Sequence, residues 1–268
     1  MLKDVTLGQY FPGDTIVHRL DPRTKLVLTV VYIAALFTAN GWVGYAVMFA
    51  CLCAVMALSH IGPKAVLRGL KPLIYIILFT AILNLFFTSG DDYLIHWHFI
   101  RITHAGARNA AFMVLRVMLL VAGTFLLTYT TSPLAITDGL ERLLTPLKKL
   151  GVPVYEFSLM MSISLRFIPT LIEETGRIMS AQKARGADFE TGKLTQRAKA
   201  LLPLLIPLFV SAFRRADELA VAMECRCFNG GQGRTRMKQL QMRFRDYGAF
   251  VCGAALMALV IVLHRFGL

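Results

Sequence analysis

Nucleotide-binding loops, a cysteine framework and an acidic surplus are all missing from this 268-residue chain, and each absence narrows what it can be. There is no G-x-x-x-x-G-K-[ST] segment: the glycine cluster Gly230-Gly231-Gln232-Gly233 runs into Arg234-Thr235, so the chain is not expected to hydrolyse nucleotide itself. H-E-x-x-H and G-x-S-x-G are missing too. Cys51, Cys53, Cys225, Cys227 and Cys252 form no CxxC and leave an odd count, which argues against a disulfide scaffold. The opening MLKDVTLGQYFPGD has no apolar run after its lysine, so no cleavable signal peptide is expected and the first span serves as its own insertion signal. Acidic residues number 16 against 29 Lys and Arg, a net charge of +13. In a chain that is 56% hydrophobic with mean hydropathy +0.59, that excess is read as the basicity that sets membrane topology, and nucleic-acid binding is not expected.

What the chain has is long apolar runs. They fall at about 25–39, 42–59, 70–88, 107–131 and 247–263, each near the length a helix needs to cross hydrocarbon. The predicted fold class is an all-α integral membrane protein, a single domain over residues 1–268 with about five spans. The connection from His60 to Lys71 carries Lys64, Arg68 and Lys71 without an acid, whereas that from Ser89 to Gly106 carries Asp91 and Asp92 against one arginine. The positive-inside rule then places the N-terminus in the cytoplasm and the C-terminus outside it, in a bacterial cell membrane.

The segment from Ser132 to Arg245 is apolar in places but holds 18 Lys and Arg and 10 Asp and Glu, so no part of it spans. Its punctuation predicts three cytoplasmic or interfacial helices, at about 133–150, 154–185 and 194–226. The first is amphipathic and suits the interface. The other two carry internal prolines at Pro169, Pro203 and Pro207, each of which removes a backbone bond and permits a kink.

Both long helices begin apolar, turn charged and end in a small-residue tip with one arginine. The tips are Ala184-Arg185-Gly186 and Cys225-Arg226-Cys227, 41 residues apart. A single such arginine is explained by the helix dipole and by capping of free carbonyls. Two matched ones, unshielded by bulky neighbours, point instead to guanidinium groups that enter a partner's groove and meet a carboxylate.

The segment His18-Arg19-Leu20-Asp21-Pro22-Arg23-Thr24-Lys25 precedes the first span, where basic residues at the headgroups and a proline turn make a juxtamembrane anchor. Arg116 and Asn84 fall at membrane depth, and interior pairing is the expected use of both. Asp91, Asp92, His96, His98 and His104 lie on one connection, but their spacing matches no strong metal-ligand pattern, and no metal is expected.

Taken in order, HRLDPRTKL, ITDGLERLLTPLKKL, MMSISLRFIPTLIEETGRIMSAQKARGADF and PLFVSAFRRADELAVAME resemble the transmembrane component of energy-coupling factor (ECF) transporters, within the wider cobalt permease family. The similarity runs from Gln9 to Gly233. It implies a non-catalytic scaffold that joins two cytoplasmic ABC ATPases to a membrane-embedded substrate-capture subunit, for uptake of vitamins or other micronutrients. It also implies that His18, Arg19, Asp21, Pro22, Arg23 and Lys25 form a family signature. In that family the arginine tips dock into the ATPases; here that implies Arg185 and Arg226, with cysteines standing beside the second. ATP and magnesium would sit on the partners, and the chain itself would hold no cofactor. The blocks are most like the shared-module type, whose capture subunits are interchangeable. Two other readings compete: a conventional ABC permease with its own substrate path, and a membrane metalloenzyme built on the histidine cluster.

Overall fold

The structure is a computed structural model that describes residues 10–87, 93–97, 100–187, 189, 194–228, 230 and 240–266; side chains of 86–105, 194 and 196–200 are outside that description. The helices are α1 (Pro22–Thr38), α2 (Gly41–Ser59), α3 (Pro63–Leu70), α4 (Ile74–Phe87), α5 (His104–Thr130), α6 (Pro133–Leu144), α7 (Val154–Ala184), α8 (Leu194–Cys225) and α9 (Phe244–Arg265). A short antiparallel hairpin of β1 (Tyr93–Trp97) and β2 (Ile100–Thr103) joins α4 to α5. The chain is an all-α membrane protein, as its composition predicts. Among the described residues four helical stretches are long and apolar enough to cross a bilayer: Gly41–Ser59, Pro63–Leu85, Gly106–Thr130 and Phe244–Arg265.

The second of these, Pro63–Leu85, starts earlier than the expected 70–88. Pro63 at the first helical position sets φ for a helix, and α3 runs through a 3₁₀ turn at Lys71–Leu73 directly into α4. The charges of Lys64, Arg68 and Lys71 therefore ride on a helix and not on a loop. Likewise the expected helix over 133–150 is α-helical only to Leu144 and finishes as a 3₁₀ segment, Thr145–Leu150, that contains Pro146 and ends at Gly151 with φ +82°.

The chain divides into two compact units. Gly8–Leu143 with Leu240–Leu268 form the membrane bundle, and Leu144–Gln239 hold the two long basic helices. In the bundle α5 is central, packing against α1, α2, α3 and α4. Ala35, Leu36, Met48, Leu52, Leu119, Ala122, Leu126, Tyr129 and Val260 are buried in its core. The glycine at 123 exists for close approach: a Cβ there would strike the Tyr32 ring, whose hydroxyl donates to the Leu119 carbonyl at 3.1 Å.

Three helix ends meet at one level of the bundle. The α1 start is joined to the α9 start by the Asp21 N–H, which donates to Asp246 Oδ1 at 2.8 Å. The α5 end is joined to both the N-terminal segment and α1, through Phe11 N–H to the Tyr129 carbonyl at 3.0 Å and Lys25 Nζ to the Thr130 carbonyl at 2.9 Å.

Candidate functional site

The two long helices end in the same motif, atom for atom. In α7, Arg185 is the C-cap; Gly186 N–H donates to the Lys183 carbonyl at 3.0 Å and Ala187 N–H to the Gln182 carbonyl at 3.0 Å. In α8, Cys227 N–H donates to the Glu224 carbonyl at 2.8 Å and Phe228 N–H to the Met223 carbonyl at 3.0 Å. Both are Schellman endings in one register, with the arginine at the C-cap and the next residue left-handed: Gly186 at φ +89° and Cys227 at φ 55°. The carbonyls are therefore satisfied by backbone N–H groups, and capping does not require either guanidinium. Arg185 and Arg226 are exposed, and among the described residues neither takes part in an ion pair. Ala184, Gly186, Cys225 and Cys227 are exposed around them.

Sequence reasoning missed what ties the two helices together. Glu174 on α7 accepts from the Ser211 hydroxyl at 2.5 Å and from the Arg215 guanidinium, both on α8. The signal was present in the sequence: Glu174 and Arg215 are 41 residues apart, as are the tips. Each cross-linking residue thus stands 11 residues before its own arginine, about 16 Å along a straight helix. Eleven residues are close to three full turns, so cross-link and tip share a helix face.

Beside the cross-link lies an apolar cleft of about 500 Å³, lined by Ile163, Phe167 and Leu171 of α7 and by Ala216, Leu219 and Met223 of α8, with Phe228 from the tip. The α8 residues beyond Arg215 thus share a cleft with α7 residues that precede Glu174. Both helices continue through their prolines, α7 past Pro169 and α8 past Pro203 and Pro207. Between Leu201 and Phe213 α8 is apolar and largely uncovered, with Leu202, Ile206, Phe209 and Phe213 at 54 to 68% exposure.

The segment before α1 is a buried knot, where the anchor reading expects headgroup-facing side chains. Asp21 caps α1, its Oδ1 accepting from Arg23 N–H at 2.9 Å, and Pro22 occupies the first helical position. Lys25, only 7% exposed, donates to the His18 carbonyl at 3.2 Å, the Thr130 carbonyl and Thr131 Oγ1 at 3.2 Å. Arg23 reaches the Leu240 carbonyl at 3.3 Å. Of the basic residues here, Arg19 alone keeps the expected surface role, paired with exposed Asp14 at 3.6 Å. His18 bridges Thr15 Oγ1 at 2.6 Å and the Phe11 carbonyl at 3.1 Å, and burial, with Lys25 nearby, lowers its pKa below the ordinary imidazole value.

At membrane depth Arg116 donates to the Tyr45 hydroxyl at 2.9 Å and lies over the Phe37 ring, while Asn84 donates to the Thr80 carbonyl at 2.9 Å. The side chains of Asp91, Asp92, His96, His98 and His104 lie outside the described residues.

Comparison with known proteins gives one consistent picture. A family model described as cobalt transport protein (CbiQ) matches residues 13–237. The energy-coupling factor transporter transmembrane protein EcfT of Thermosediminibacter oceani is 50% identical over 265 residues, covering 99% of this chain and 99% of its own. The proteins of the same name from Clostridium kluyveri and Listeria innocua are 49% and 46% identical, each over 98% of this chain and 97% and 100% of their own.

Proposed function

The chain belongs to the cobalt transport protein family, and from that footing we propose that it is the transmembrane coupling subunit of an ECF-type importer. In this reading it catalyses nothing itself. It joins two cytoplasmic ABC ATPases, which hold ATP and magnesium, to a membrane-embedded capture subunit that takes up a vitamin or other micronutrient. The observation that carries the reading is the pair of identical Schellman endings, which present Arg185 and Arg226 uncapped and unshielded at equal distances from a shared cross-link. A guanidinium so placed fits a bidentate pair with a carboxylate in a groove. Two such tips suit two copies of a similar ATPase.

The mechanism follows as a lever. ATP-driven closure of the ATPase pair would draw the tips together, and the Glu174–Arg215 cross-link would act as the point through which each arm turns the other. The uncovered apolar stretch of α8 from Leu201 to Phe213 supports a seat for the capture subunit on that helix. The two arms and the basic α3 face the cytoplasm in this reading, in line with the positive-inside rule.

The test is a pull-down of the assembled complex in detergent with Arg185→Ala and Arg226→Ala combined. Loss of both ATPases together with loss of ATP-driven uptake is expected. An intact, transporting complex would overturn the docking role. Uptake by this chain and ATPases alone, without a capture subunit, would favour the conventional permease.

A further inference from the structure

Between α1, α2, α5 and α9 lies a slot of about 410 Å³, within the range of about 300–1,000 Å³ that small-molecule sites occupy. Its inner walls are apolar, with Leu28, Leu52, Val55, Leu126 and Leu256 facing it. It runs from Lys25 to Tyr32 on α1 and from Arg245 to Leu256 on α9. At 1.5 Å per residue that is about 10 to 16 Å, roughly half the thickness of a bilayer's hydrocarbon core. The rim residues Ile16 and Leu58 are 56% and 53% exposed, so the slot is open to an amphiphile from outside the bundle.

The chemistry of the slot is asymmetric. Charge lies only at the end where the α1 and α9 starts meet, and both charges are positive: Lys25 and Arg245. Lys25 donates to three neutral oxygens, and among the described residues no carboxylate forms an ion pair with it. Two buried acids stand behind this end and neither lines the slot: Asp246, whose charge acts on Lys25 and whose oxygens accept from the backbone N–H groups of Asp21 and Arg243, and Asp21, whose Oδ1 accepts from Arg23 N–H and lies 3.8 Å from the Arg23 guanidinium. Arg245 is exposed, and among the described residues no carboxylate pairs with it.

A slot apolar along its length and cationic at its headgroup end matches one kind of occupant. We propose that it binds one acyl chain of an anionic phospholipid, with the headgroup phosphate held by Arg245 in the positive field of Lys25. The inference needs only that the bundle spans a bilayer, and stands apart from the coupling role of α7 and α8.

The test uses the full-length chain, stripped of lipid in detergent, with thermal unfolding followed as lipid is added back. Phosphatidylglycerol is expected to raise the midpoint, phosphatidylcholine to do so at about fivefold higher concentration, and inorganic phosphate to have no effect; the factor is that of one arginine's attraction to an anionic headgroup. Arg245→Gln, at an exposed site that folding does not need, should abolish the preference between the two lipids. Ala249→Phe, which fills the slot, should remove the response to both. Equal response to the two lipids in the wild type, a response to phosphate alone, or a preference that survives Arg245→Gln would each overturn the proposal. If Ala249→Phe does not fold, the Arg245→Gln comparison decides alone.

Discussion

Cys227 occupies a backbone position that a Schellman ending ordinarily gives to glycine. Its φ of 55° is left-handed, a conformation that costs a residue with a Cβ about 1–2 kcal/mol, whereas Gly186 meets the same requirement freely. Cys227→Gly is therefore expected to raise the unfolding midpoint in detergent by the equivalent of about 1 kcal/mol, and Gly186→Ala to lower it by as much. A destabilised Cys227→Gly would show that the thiol itself is needed at the tip. His18 gives a pH dependence with a definite sign. Its pKa is lowered in the folded chain, chiefly by burial, so the neutral ring is favoured there while the unfolded chain titrates at the ordinary value. The contribution of His18 is present above about pH 6.5 and is lost as pH falls through the lower, folded value. His18→Gln keeps a donor for the Phe11 carbonyl but does not titrate, and is expected to flatten the decline in unfolding midpoint between about pH 7 and about pH 5. The arginines at 185 and 226 were legible in the sequence because one pattern occurs twice. The burial of Lys25 was not, because its acceptors are a carbonyl seven residues earlier and two groups more than a hundred residues later, none of them distinguished by side-chain charge.

At the scale of elements, α7 and α8 came out at Val154–Ala184 and Leu194–Cys225, within one residue of the spacing's prediction, because small and left-handed residues punctuate both ends that matter. The onset of the third span was not legible, since a hydropathy reading discounts the charged turn of α3 that Pro63 starts. Pairing between helices was the larger gap: an amphipathic stripe says that a helix packs, not against which partner. Glu174, Ser211 and Arg215 supply that choice, and the glutamate and arginine side chains are 22% and 29% exposed. At that exposure the pair is partly screened, so a double-mutant cycle over Glu174→Ala and Arg215→Ala should give a coupling of only about 1 kcal/mol in stability. Under the proposed coupling role its effect on transport is expected to be larger: each single variant should retain bound ATPases yet lose most ATP-driven uptake, because arms that are not cross-linked would no longer turn together. The double variant should be no worse than either single one. Full uptake in the single variants, measured in proteoliposomes, would reduce the cross-link to a packing contact.

For the whole molecule, the count of crossings turns on α1, whose 17 residues are about 25 Å long and include Arg23 and Lys25 in the first turn. Length alone leaves that helix marginal against a hydrocarbon core of about 30 Å. The hydrogen bonds resolve it by parity. Asp21 at the α1 start and Asp246 at the α9 start are bonded, so both lie at one face of the membrane, and Lys25 holds the α5 end at that same face. Leu28 meets Gly253, seven residues into each helix from those aspartates, so α1 and α9 run side by side in one direction. From the α1 start to the α5 end the chain must therefore cross an even number of times. The stretches Gly41–Ser59, Pro63–Leu85 and Gly106–Thr130 make three, and α1 has to be the fourth. With α9 the expected total is five, with residues 10 and 266 on opposite faces. A C-terminal alkaline phosphatase fusion is accordingly expected to be active and a C-terminal green fluorescent protein dark, with the opposite result for reporters inserted in the 229–239 segment. Reporters that place the C-terminus and that segment on one face would break the parity and, with it, the assignment of α1 or α9 as a span.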